Sequence, residues 1–169
     1  MHTTCHEQFP ANVNGQHHRR LLIPVDATER SRWAIRYVLH LRDAGVPVAV
    51  ALIFVAEPIT AWEVRRFLTD AEIVRFQADT GRHILEDAAR ELIAADIPVQ
   101  PVYREGDIAF EIVDAAERLE CDEIVLPLPH ARWAKLLSPD VVREVIRRQG
   151  AVRVTTVAAD GRPEASHRH

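Results

Sequence analysis

The sequence predicts an α/β protein, one domain built on a parallel sheet with helices packed on both faces. Two observations carry this. Short apolar runs such as Leu21-Leu22-Ile23-Pro24-Val25 and Val48 to Val55 are continuous rather than alternating, the character of strands buried on both sides. Between such runs lie segments whose apolar residues recur at helical spacing, so strand and helix alternate along the chain.

Length and composition fit one domain. The chain has 169 residues, 47% of them hydrophobic and 27% charged, the balance of a soluble globular protein. A formal net charge of -4 argues against a nucleic-acid partner, because duplex readers carry a basic face. No apolar run approaches the length needed to cross a bilayer, so no membrane partner is expected. After Met1 there is no apolar leader run, and Cys5 and Cys121 are too few and too scattered for a disulfide framework. A reducing, cytoplasmic setting is the expectation.

Residues 1–18 are polar and without apolar periodicity, and 159–169 are polar with Gly161 and Pro163, so both ends are expected to be disordered tails around a domain at 19–158. The first strand ends at Asp26, and Thr28 is the expected N-cap of a helix with Trp33, Ala34, Tyr37, Val38 and Leu41 on one stripe. After the second strand, a stretch around Trp62, Val64, Phe67 and Leu68 reads as a short helix or ordered loop. A long helix from about Asp70 to Ala95 then turns Ile73, Phe76, Ile84, Ala88 and Leu92 inward. Val99 to Tyr103 is a third strand, made less central by Pro98 and Pro101. Gly106-Asp107 opens a helix that buries Ile108, Ile112, Val113, Ala116 and Leu119. Glu123 to Leu126 is the core of a fourth strand. Ser138-Pro139 is a strong helix start, and Val152 to Val157 a fifth strand.

Four places along this order resemble the universal stress protein family. Pro24-Val25-Asp26-Ala27-Thr28 looks like its Pro-x-Asp-x-Ser/Thr turn. Leu52-Ile53-Phe54-Val55 falls on its second strand, where histidine is usual at the Phe54 position. Gly106-Asp107-Ile108 resembles its Gly-Asp/Pro helix start, and Cys121-Asp122-Glu123-Ile124-Val125-Leu126 the strand before its nucleotide loop. The resemblance implies a Rossmann-like α/β/α sandwich of the adenine nucleotide alpha hydrolase-like type. It also implies a five-stranded parallel sheet in the order 3-2-1-4-5.

The departure is in the loop. ATP-binding members carry Gly-x-x-Gly, a spacer and Gly-Ser/Thr after the fourth strand, whereas Pro127 to Asp140 contains no glycine at all. Backbone N–H groups and a helix N-terminus hold phosphates in such loops, and Pro127, Pro129 and Pro139 have no N–H to offer. Asp140 adds a carboxylate where phosphate would sit, which Arg132 and Lys135 only partly offset. The resemblance implies a degenerate nucleotide site at Asp26, Val55, Pro127, His130, Arg132 and Ser138. For Asp26 two roles stay open, a contact to the adenine or ribose end of a nucleotide and a cap on the following helix. Val55 is either a backbone contact to adenine or plain core. The His130, Arg132 and Trp133 cluster is either a replacement anion site or a tryptophan plug with two solvated neighbours.

Histidines in both tails invite only loose metal binding, and no catalytic motif is present. The expectation is a non-enzymatic stress-response regulatory or interaction protein, with no cofactor or at most weakly held ATP. It is expected to form a homodimer through the last strand at Val152, Val154 and Thr156, where an open edge of β-branched residues invites pairing.

Overall fold

The computed structural model describes residues 12–13, 16–58, 69–128 and 139–167. In chain order these form β1 (Asn12–Val13), β2 (Gln16–His17), β3 (Arg19–Pro24), α1 (Ser31–Asp43) and β4 (Val48–Ala56). Then follow α2 (Asp70–Ala94), β5 (Val99–Glu105), α3 (Ile108–Arg118), β6 (Glu123–Pro127), α4 (Pro139–Arg148), β7 (Arg153–Val157) and β8 (Pro163–His167).

The main sheet runs β5-β4-β3-β6-β7-β8. Its first five members are parallel in the expected 3-2-1-4-5 order, and β8 adds a sixth, antiparallel strand. Alternate residues of the central strand face different layers. Leu22 packs with Ile53, Ile112, Ile124 and Val145 under α3 and α4, while Leu21 and Ile23 pack with Ile35, Leu52 and Leu92 under α1 and α2. Leu21, Leu22 and Ile23 are wholly buried, which is why this stretch shows no alternation in sequence.

Prolines sort to the places where a missing donor does least harm. On β5 the inward bonds fall on alternate residues, with Val50 donating to Pro98 and Gly106 donating to Ala56. Pro101 lies on the outward phase, so its absent N–H faces the open edge.

Both expected tails are corrected in part. At the N-terminal end, Asn12–Val13 pairs antiparallel with Gln16–His17. At the C-terminal end, β8 pairs with β7 through the Ala158–Arg162 connection, where Ala158 N–H donates to Arg162 C=O at 2.9 Å. Gly161 has φ +79°, and a Cβ there would come within 2.7 Å of the Tyr37 nitrogen, so only glycine lets this turn dock on α1. The β7 edge is therefore not open. Val154 and Thr156 are buried and pair with His167 and Ala165, and Val152 precedes the strand. Phe76 is a further correction: it is 66% exposed, while Leu85 on the same helix takes the inward place.

The amino ends of the strands are pinned by a buried carboxylate. Glu123, 1% exposed, accepts from Arg19 at 2.5 Å, from Tyr37 Oη at 3.4 Å and from the Thr155 hydroxyl. Burial, and then the Glu123 charge, push the Tyr37 phenol above its ordinary pKa. A buried charge survives only with such partners.

Phe54 and Tyr103 stack with ring centroids 6.1 Å apart, and Gly81 of α2 rests against them. A Cβ on Gly81 would lie 2.7 Å from Phe54 and 2.9 Å from Tyr103. Gly81→Ala gains about 1 kcal/mol of helix propensity but loses about 1–3 kcal/mol to overpacking. Urea unfolding should therefore show an unchanged or lower midpoint, recovered when Phe54→Leu is added. A higher midpoint for the single variant would contradict the packing.

Candidate functional site at the carboxyl edge

The sheet reverses direction of growth between β3 and β6, the switch point at which doubly wound sheets bind ligands. The pairing there is short for a simple reason. Val25 N–H donates to Ile53 C=O at 2.9 Å, so odd residues of β3 bond toward β4 and even ones toward β6. Pro24 is on the even phase and has no N–H. Pairing with β6 is confined to Leu21 and Leu22, while β6 itself continues to Pro127. The ladder between the two strands ends there, short of Pro24-Val25-Asp26 on one side and Pro127-Leu128 on the other.

Asp26 begins the β3–α1 connection. Its Oδ1 accepts from the Thr28 N–H at 2.8 Å, the Thr28 hydroxyl at 2.5 Å and the Ser31 hydroxyl at 3.0 Å. In return the Asp26 N–H donates to Ser31 Oγ at 2.8 Å. This turn delays the helix beyond the expected Thr28 cap. The first helical residue is Ser31, Arg30 holds the N-cap position without a side-chain bond to it, and Thr28 serves Asp26 instead. The Asp26 carboxylate holds the turn that leads into α1 rather than capping the helix, whose N-cap position belongs to Arg30.

Arg30 reaches across the switch point. Its guanidinium donates to the Leu128 C=O and lies 5.5 Å from the centroid of the Trp33 ring. Burial lowers the guanidinium pKa, and the Asp26 charge works against that shift. The Leu128 N–H is also occupied, donating to Val157 C=O at 2.8 Å. Neither Arg30 nor Trp33 stands out in the sequence as a site residue. The signal was their spacing: three positions apart, in the turn that follows Asp26-x-Thr.

The edge gathers Asp26, Val55 and Pro127 from three adjacent strands. Val55 is core there, 3% exposed and packed in the layer under α3 and α4. Pro127 is buried in register with Val157. His130, Arg132 and Ser138, with Trp133 and Lys135, lie outside the described residues, as does the stretch around Trp62. Asp140 does stand in the first turn of α4, its side chain 90% exposed and 3.6 Å from Arg143. Beside Asp26, toward α2, a cleft of about 400 Å³ is lined by Thr28, Arg32, His83 and Asp87. Arg32 is tied to Asp87 at 3.2 Å and to Glu91, so the guanidinium lining that cleft already has carboxylate partners. Among the described residues no group of three or more His, Cys, Asp or Glu side chains can hold a metal.

The model of the universal stress protein family matches residues 17–164. The chain belongs to that family. No curated protein sequence matches it significantly. Among solved structures, a family protein from Burkholderia pseudomallei superposes with TM-score 0.64 at 17% identity, covering 83% of this chain and 96% of that one. A universal stress protein from Archaeoglobus fulgidus gives TM-score 0.65 at 22% identity, over 84% of this chain and 51% of that one. One from Arabidopsis thaliana, solved with AMP bound, gives 0.54 at 17% identity over 82% and 90%. Other members of similar likeness were solved with cAMP and, from Archaeoglobus fulgidus, with dAMP. At these identities the superpositions show the fold of a universal stress protein.

Removing the Asp26 carboxylate strands the Thr28 and Ser31 donors. Asp26→Ala should cost about 1–3 kcal/mol by the scale of hydrogen bonds to charged groups, read as a lower thermal midpoint. A neutral effect would mean that the turn is held elsewhere.

Proposed function

We propose that this universal stress protein is a non-enzymatic, cytoplasmic regulatory or interaction protein that does not hold ATP in the family's usual mode. One observation supports this above the rest. The groups that would meet a nucleotide at the switch point already have internal partners: the Asp26 carboxylate, the N–H groups of Asp26, Thr28 and Leu128, and the Leu128 carbonyl under Arg30. A nucleotide would have to displace them. Pro127 and Pro139 add no donors, and Asp140 places a negative charge at the α4 N-terminus. Each charge-assisted donor lost to phosphate is worth about 1.5–3 kcal/mol, or about ten- to a hundredfold in affinity.

A second reading, a weak adenine-nucleotide switch, is favoured by the AMP, cAMP and dAMP found in relatives. In that case Arg30 leaves Leu128 and turns to phosphate, a contact its fork of donors suits.

Calorimetric titration with MgATP, AMP and cAMP separates the two. The proposal expects no binding in the low micromolar range. A dissociation constant in that range, abolished by Asp26→Ala and weakened by Arg30→Ala, would promote the switch. Self-association belongs to the same proposal, with β8 rather than β7 as the strand a second copy meets on that side. Sedimentation at micromolar concentration should then show a dimer; a monomer removes that part.

A further inference from the structure

The other end of the sheet carries a cleft that none of this uses. It measures about 640 Å³, within the range of small-molecule sites, and lies between α2 and the edge strand β5, two strands away from the switch point. Its floor is apolar. Leu85 and Ala89 from α2 face Val99 and Pro101 from β5, because α2 overhangs the last strand and no further element covers its outer stripe among the described residues. Ile93 continues that stripe and is 62% exposed. A surface helix normally has an apolar stripe only as wide as the layer beneath it, so a stripe that outruns the sheet is itself a signal.

One wall is aromatic and fixed. Tyr103 stacks on Phe54, and Gly81 admits the pair against α2 at a distance no other residue permits. A mid-helix glycine costs about 1 kcal/mol relative to alanine, so the wall is held at some expense. The Tyr103 hydroxyl donates to Glu105 at 3.1 Å. The rim is acidic: Asp79 and Glu86 stand against Arg82, and Arg82 is tied to Asp79 at 2.9 Å. Glu86 therefore supplies the surplus charge. An added β-strand is a poor occupant, since the outward donor row of β5 is broken at Pro101.

We propose that the cleft between α2 and β5 is a ligand site for an organic cation with an apolar body. Apolar floor and aromatic wall take the body, and the Glu86 side of the rim takes the charge. The site is independent of what happens at the switch point, so it stands or falls apart from the nucleotide question.

Crystal violet, a lipophilic cation, tests it by fluorescence titration, with Nile red as neutral and anilinonaphthalene sulfonate as anionic comparator. The cation should bind in the micromolar range and about tenfold or more tighter than the sulfonate. Glu86→Gln should weaken the cation about two- to fivefold, the worth of an exposed charge, and leave Nile red unchanged. Ala78→Trp, at an exposed cleft position, should weaken both by about tenfold or more by filling the space. Ala89→Trp, checked for fold by circular dichroism, repeats that test from the floor. Equal binding of cation and sulfonate, no response to Glu86→Gln, or binding that survives both tryptophan variants in folded protein would each overturn the proposal.

Discussion

Pro24 cannot donate a hydrogen bond toward β6, and much of the carboxyl edge is arranged around that missing donor. A proline inside a central strand would break a ladder on which the whole core rests. At the last position of β3 it ends pairing on one side only, while Val25 continues to pair with β4. Beyond the end of that ladder, the carboxyl edge is held by local bonds. Asp26 folds back on Thr28 and Ser31, and Arg30 reaches over to Leu128.

The opposite end of the same strands is tied by a buried carboxylate. Glu123 joins Arg19 at the start of β3, Tyr37 on α1 and Thr155 on β7, so one buried carboxylate ties four elements. Loss of any one partner would leave charge or hydroxyl stranded in a dry site. The sheet is welded at its amino end and split at its carboxyl end. That asymmetry is what makes a site possible in a core otherwise packed on both faces.

The strands and helices were legible because burial on both faces erases alternation and helix stripes preserve it. Pro101 was legible as the mark of an outer strand, because a proline states where a donor is dispensable, whereas Pro24 was read only as part of a buried run. Other features were not legible. β8 contributes Pro163, Glu164, Ala165 and Ser166, which bury little apolar surface, so hydrophobic pattern is blind to it; only Asp160-Gly161 marks the turn. Phe76 has the right spacing for the core but is exposed near the start of α2, where no layer among the described residues covers it. At the site, Asp26 and its turn through Thr28 were visible and the return of Ser31 onto the same carboxylate was not, because such a turn has no periodicity to betray it. Arg30 looked like an ordinary polar residue ahead of a helix, and only the path of Leu128 gives it a role.

The pairing of β3 with β6 also bears on how the molecule is born. Arg20 and Asp122, which join these strands, are 102 positions apart, whereas β3 meets β4 across a single helix. During synthesis β3 can dock on β4 early and then must wait, one flank bare, until most of the chain has left the ribosome. Contacts so distant in sequence form slowly, and an unpaired apolar strand is prone to stray partners meanwhile. A ladder that needs only Leu21 and Leu22 to close, with Pro24 offering no donor to a wrong neighbour, leaves a shorter adhesive strip exposed during that wait.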